Sequence, residues 1–147
     1  MSAQELGALL ADASQNGAYF IDVRDREGLE EIARGLGFAV AAIDFAGCDG
    51  RDEVLERFAA ALRFPEWFGG NWDALADCLG DLSWWPADGY LLLLDHASAW
   101  RVSEPFDFAT LLEILNDAAM SWSAQRLPFW ALVPLSAAAL DEVLEPG

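Results

Sequence analysis

The sequence predicts an α/β fold, with a small, mainly parallel β-sheet and helices packed on it. Three features carry this expectation. Short apolar runs alternate with stretches of helical periodicity along the whole chain. One run, Tyr90–Leu94, is apolar at every position, as a strand covered on both faces requires. Turn signals at Gly37, Asp49-Gly50 and Pro86–Gly89 punctuate the elements. At 147 residues and 16.0 kDa the chain has the size of a single domain with a proper core.

The elements follow in order. Residues 3–14 have helical composition, with Leu6, Leu9 and Leu10 on one face. Tyr19–Val23 reads as a strand. Glu27–Leu36 reads as a helix stopped by Gly37, and Phe38–Phe45 as a second strand. After the Asp49-Gly50 turn, Asp52 or a neighbour caps a helix running to about Leu62, whose Val54, Leu55, Phe58 and Leu62 recur at helical spacing. The loop Phe64–Gly70 leads into a helix from about Trp72 to Leu82, with Asn71 as its N-cap. Tyr90–Asp95 is a strand. Phe106–Met120 is a helix with Phe108, Leu111, Leu112 and Leu115 inward, extending towards Trp122. Pro128–Val133 is the last strand, which Pro134 ends, and Ser136–Leu144 forms a terminal helix. No internal repeat, linker or low-complexity segment interrupts this order.

Composition narrows the function. A hydrophobic fraction of 54% and a mean hydropathy of +0.20 exclude disorder. No apolar run is long enough to span a bilayer, and the N-terminus lacks the basic and apolar regions of a signal peptide, so the cytoplasm is the expected compartment. Two cysteines, Cys48 and Cys78, are too few for a disulfide framework or a zinc site. The net charge is −17, from 25 acids and 8 bases, all of them Arg. Such a chain repels phosphate, which argues against nucleic acid as a direct partner and favours a basic protein. The acids are also unevenly placed. Between Glu66 and Asp117 there are ten acids and one base, Arg101.

The most telling segment is residues 64–82, FPEWFGGNWDALADCLGDL. At about 100° per residue, Leu75, Cys78, Leu79 and Leu82 form a buried stripe, with Trp72 at its margin. Asp73, Asp77 and Asp81 share another face. Ala76 and Gly80 lie beside them and leave the carboxylates clear for close approach by a partner. Asp73 suits the first turn of the helix, but Asp81 in the last turn opposes the helix dipole, by about 0.3–1 kcal/mol. The like-charge pairs cost a few tenths of a kcal/mol each, by rough scale. A helix shaped only for stability would carry an Arg here, whereas a cationic partner accounts for the pattern. A solvated acidic face is the plain alternative.

Residues Pro65-Glu66-Trp67-Phe68-Gly69-Gly70-Asn71-Trp72-Asp73-Ala74-Leu75-Ala76-Asp77-Cys78-Leu79 form a dense, ungapped motif. It resembles that of the barstar family of small bacterial ribonuclease inhibitors. The surrounding order of strand, helix, loop, acidic helix, strand, helix and strand fits as well. The resemblance covers about residues 38–133. Residues 1–37 form an added helix–strand–helix extension and residues 134–147 a tail. It implies a protein that is no enzyme, needs no cofactor or metal, and plugs the active site of a small, basic, secreted ribonuclease as the immunity partner of a toxin. Asp77 would occupy the substrate-phosphate site and pair with catalytic Arg and His residues. Asp73 would add a second charge contact and Trp67 would stack on the enzyme. Phe68, Gly69, Asn71, Ala76, Gly80 and Asp81 complete the expected contact surface. Glu104 and Asp107 are the candidates for a further family acid near the later helix. Two departures stand out. The family's best-known member has Trp where this chain has Ala76, and Tyr where it has Trp67. A target that is basic but not a ribonuclease is the second reading.

Other chemistry is thinly represented. His96 is the only histidine and follows Asp95 at a strand end, where α/β enzymes often place catalytic groups. No Gly-x-Ser-x-Gly, His/Cys ligand set or phosphate-binding glycine loop accompanies it. Asp73 and Asp77 have the chemistry of an acid/base pair or a divalent-cation site, as an alternative to a contact surface. Cys78 is expected in the core, as are Trp100 and Trp130, with Trp84-Trp85 as core or rim packing.

Overall fold

The computed structural model describes residues 2–144. Four strands, β1 (Gly17–Asp22), β2 (Ala39–Asp44), β3 (Tyr90–Asp95) and β4 (Phe129–Leu135), form an all-parallel sheet in the order β1-β4-β3-β2. Around it lie α1 (Ala3–Leu10), α2 (Arg26–Gly35), α3 (Arg51–Leu62), α4 (Trp72–Asp81), α5 (Ser98–Ser103), α6 (Pro105–Ala124) and α7 (Ala137–Leu144). The connection from β1 to β2 crosses the full width of the sheet in one direction. The next two connections step back, from β2 to β3 to β4. Right-handed crossovers that reverse direction must use opposite faces. The helices accordingly divide between the two faces of the sheet.

The strand sequences record this division. Tyr90, Leu92 and Leu94 of β3, with Phe129, Ala131 and Val133 of β4, belong to the larger core under α3, α4, α5 and α6. Leu91, Leu93, Trp130 and Leu132 point the other way and join Leu10 of α1 and Ala33 of α2 in a second core. The fully apolar run in β3 therefore needs both layers, as its sequence requires. Residues 2–37 have a clear structural role: β1 extends the sheet beside β4, while α1 and α2 cover its second face.

Polar contacts clip this N-terminal layer to the rest. Trp130 donates its Nε1–H to the Leu10 carbonyl at 2.9 Å. Asn16 donates to the carbonyls of Ala119 and Leu127 and accepts from the Phe129 N–H, which fixes the entry into β1. Asp44 and Asp95 sit directly opposite each other at the ends of β2 and β3. Like charges in that position repel. The repulsion is relieved because Arg26 of α2 grips Asp95 through Nε at 2.7 Å and a second nitrogen at 2.6 Å, while His96 Nδ1 lies 2.9 Å from Asp44. Arg26 also reaches Glu30, whose carboxyl is held below its ordinary range, first by the hydrogen bond from Arg34 and against the effect of burial. A carboxyl depressed in the fold stabilises it above the unfolded pKa, and that contribution is lost as pH falls through the folded value. Replacing Arg26 by Leu strands Asp95 opposite Asp44. The expected cost is about 1.5–3 kcal/mol, read as a lower urea midpoint, with the variant showing a shallower loss of stability below about pH 4.

Several boundaries differ from the sequence expectations, each for a local reason. The first strand starts at Gly17 and ends at Asp22, because Asn16 anchors its start and Asp22 turns the chain by accepting the Arg24 N–H. Gly50, not Asp52, occupies the N-cap of α3, and Asp52 lies in the first turn, where its charge suits the helix dipole. Pro134 lies inside β4 and does not end it. Pairing with β3 stops at Leu132, so β4 has one neighbour beyond that point and tolerates a residue without an N–H. The helix expected to begin at Phe106 starts at Pro105 and runs to Ala124, and the short α5 precedes it.

Candidate functional site

The acidic helix is built as its sequence suggests. Asn71 caps α4 by accepting the Ala74 N–H on Oδ1 at 2.8 Å. Leu75, Cys78 and Leu79 are buried, and Leu75 and Leu79 dock the helix on the larger core. Trp122 of α6 donates its Nε1–H to the Leu79 carbonyl at 2.8 Å, which fixes α4 against α6. Leu82 ends the helix in a left-handed conformation (φ 49°) and is itself buried. A non-glycine residue costs about 1–2 kcal/mol there, offset by burial of its side chain, worth roughly 1.5–3 kcal/mol.

The opposite face presents Asp73, Asp77 and Asp81, all exposed, with about 6 Å of axial rise between successive positions. Among the described residues none of the three forms an ion pair. Asp81 accepts only from the Ser83 hydroxyl, at 3.3 Å. Ala76 and Gly80 are exposed beside them, and a Cβ placed on Gly80 would meet open space. The result is a rigid, unneutralised anionic ridge with little side-chain cover. Cys78, beneath it, has its thiol pushed up to about 11, first by burial and then by the charges of Asp77 and Asp81. A thiol so placed is inert packing at neutral pH.

The loop before α4 is held by aromatic rings. Phe64 packs against Phe68 (centroids 4.9 Å apart) and edge-on to Trp84 (5.9 Å), and Trp67 stands edge-on to Trp84 (6.3 Å). Trp84 in turn donates its Nε1–H to the Leu62 carbonyl at 3.0 Å, at the end of α3. Gly70 takes φ +69°, a left-handed conformation that lets the chain turn into the Asn71 cap. Phe68 is half-buried, Gly69 and Asn71 are exposed, and Trp67 keeps 59% of its surface in solvent. An exposed indole backed by a fixed indole offers a preformed, flat apolar surface. The supporting role of Trp84 is not evident from its place in the sequence. The signal was present in the Trp84-Trp85 pair directly after the acidic helix, but only folding shows that Trp84 reaches back across 22 residues. Trp84→Phe keeps a ring and loses the hydrogen bond, and should lower stability by about 0.5–1.5 kcal/mol, measurable as a shift in urea midpoint.

Two of the expected contact residues line a different opening. Glu104 and Asp107, half-buried at the start of α6, line a cleft of about 420 Å³ with Gly50, Arg51, Asp52 and Glu53 at the start of α3. No residue of α4 lines that cleft. His96, exposed with φ 57°, pairs with Asp44 at the strand ends. Among the described residues no cluster of three or more His, Cys, Asp or Glu side chains could hold a metal ion, and no helix is long and apolar enough to cross a membrane.

Residues 38–134 match the family described as barstar (barnase inhibitor), a span that contains β2, β3, all of β4 except Leu135, and every residue of the acidic helix and its loop. No curated protein and no solved structure matches the chain.

Proposed function

The chain belongs to the barstar family, and we propose that it inhibits a small basic ribonuclease by seating α4 and the preceding loop in the enzyme's active site. The observation that carries this reading is the unpaired carboxylate ridge of Asp73, Asp77 and Asp81 on a helix that is rigidly docked on its other side. A ribonuclease site binds phosphate with cationic side chains. A fixed carboxylate offers those cations the same charge with no bond to cleave.

In this reading Asp77, at the centre of the ridge, takes the phosphate position and pairs with the enzyme's catalytic cations. Asp73 adds a second charge contact. Trp67 stacks on the enzyme beside the site, and Phe68, Gly69 and Asn71 shape the loop that carries it. Ala76, Gly80 and Asp81 let the partner's backbone approach the helix. Glu104 and Asp107 supply the further acidic contact. The net charge of −17 accelerates encounter with a cationic enzyme, an advantage that screening reduces as salt rises. Such a protein works in the cytoplasm as the immunity partner of a secreted bacterial toxin, catching the nuclease before it cuts cellular RNA.

The test is a titration of the purified protein into small basic ribonucleases, with RNA cleavage as the readout. The expected result is loss of cleavage that is complete at an equimolar ratio. Cleavage undiminished across the panel, together with stoichiometric binding to a basic protein that has no nuclease activity, would replace this reading with that of a barstar-like module for another target.

A further inference from the structure

The N-terminal layer leaves an opening that the inhibitory face does not use. A groove of about 840 Å³ runs along β1. Its lining includes Tyr19, Phe20, Ile21 and Asp22, four consecutive strand residues. Consecutive strand side chains point to opposite faces. A groove that touches all four must therefore pass the outer edge of the strand. Its walls agree: Leu6, Leu9, Leu29 and Ile32 come from α1 and α2 on one face, and Leu140 and Leu144 come from α7.

That edge is open. β1 is the end strand of the sheet and pairs only with β4. Gly17–Ile21 carries no charge and no proline, the devices that commonly blunt an edge. Ala18 donates its N–H to Asn116 Oδ1 at 2.9 Å, which marks the outward side of the strand and meets one of its donors. Alternation turns the Phe20 N–H and C=O outward as well. Among the described residues no side chain or turn meets either group. Backbone groups at the floor and apolar walls on both sides together specify an extended strand as the occupant.

Charge selects which strand. Arg24, the only base lining the groove among the described residues, is tied to Asp22 at 2.6 Å. Asp25 lines the groove unpaired, and the exposed Glu5, Asp141 and Glu142 stand on the wall helices, likewise without ion pairs among the described residues. A second copy of the chain would bring the same acids to the same rim. We infer that β1 is a docking edge for an extended apolar segment of another protein, flanked by Arg or Lys, which adds as a fifth strand to the sheet. This docking is separate from the contact made by α4.

Binding can be read by fluorescence anisotropy with a labelled peptide of alternating valine and threonine carrying arginines at both ends. Two twins serve as controls, one with proline at alternate positions and one with glutamates in place of the arginines. The structure offers a blocking variant that spares the fold. Gly28 lines the groove, is exposed on α2, and has open space where a Cβ would stand. Gly28→Phe fills the groove and replaces a poor helix former. The arginine peptide should saturate and slow hydrogen exchange at the Phe20 amide. The proline twin should fail, since main-chain bonds supply the affinity, and Gly28→Phe should weaken binding by about tenfold or more, with its melting temperature maintained. Absence of saturable binding, equal binding by Gly28→Phe, or equal binding of the glutamate twin would overturn the proposal. So would sedimentation showing a dimer of the protein alone with the Phe20 amide already protected.

Discussion

Asp77→Ala is expected to weaken inhibition more than any other single change on the acidic helix. Asp77 sits midway along α4, between Asp73 and Asp81 and beside Ala76 and Gly80. In the proposed complex it is the carboxylate most completely removed from water, and its partners are cations held for phosphate. Removing one member of a desolvated pair leaves the other buried and unpaired, which costs about 3–5 kcal/mol. That corresponds to roughly two to three and a half orders of magnitude in Kd. The loss should fall mainly on dissociation, because the remaining charge of the chain still steers encounter. Fold stability should change little or rise slightly, since the substitution removes two like-charge repulsions at four-residue spacing and puts a better helix former in an exposed position. An inhibition titration paired with a thermal melt separates these effects. Asp73→Ala should weaken inhibition less, because the first turn of the helix is already a favourable and more solvated place for its charge.

Gly89→Ala is expected to be the most disruptive conservative substitution outside the cores. Gly89 is buried just before β3, and its carbonyl accepts the Ala39 N–H at 2.9 Å, so the backbone is tied to β2. A Cβ there would lie 2.5 Å from Cε1 and 2.6 Å from Cδ1 of the Phe38 ring. No real side chain tolerates such contacts. Phe38 is itself buried in the core that α1 and α2 share with the sheet, so the ring cannot swing into solvent. Overpacking of this kind costs about 1–3 kcal/mol, and the strain falls on the joint between the N-terminal layer and the family core. A urea titration should show a lower midpoint with the slope preserved, and inhibition should survive because α4 docks on the opposite face.

How much of this was legible in the sequence depended on how local each signal was. The run Tyr90–Leu94 announced a strand covered on both faces, and the structure supplies the covers. The stripe Leu75, Cys78 and Leu79 was readable because helical periodicity assigns faces with no knowledge of the neighbours. Asn71 was readable as a cap because capping involves only three residues of chain. The failures were of other kinds. The six residues of α5 complete less than two turns, too few for periodicity to appear. Pro134 usually ends a strand, and only the sheet order shows that its missing donor faces no neighbour. The hold of Trp84 on the loop and the salt bridge from Arg26 to Asp95 join residues far apart in sequence, which no pattern of spacing encodes. Glu104 and Asp107 could be named as acids but not placed. The fold puts them with the start of α3, in a cleft without residues of α4.

The central claim is that the carboxylate ridge occupies the phosphate site of a ribonuclease. The most direct measurement is competition. Binding of the protein to its target ribonuclease is followed by isothermal titration while a nucleoside monophosphate, which fills that site, is raised stepwise. Mutual exclusion is the predicted result: apparent Kd rises in proportion to the nucleotide concentration, and Asp77→Ala becomes less sensitive to it. A ternary complex, with protein and nucleotide bound together and apparent Kd independent of nucleotide, would contradict the account.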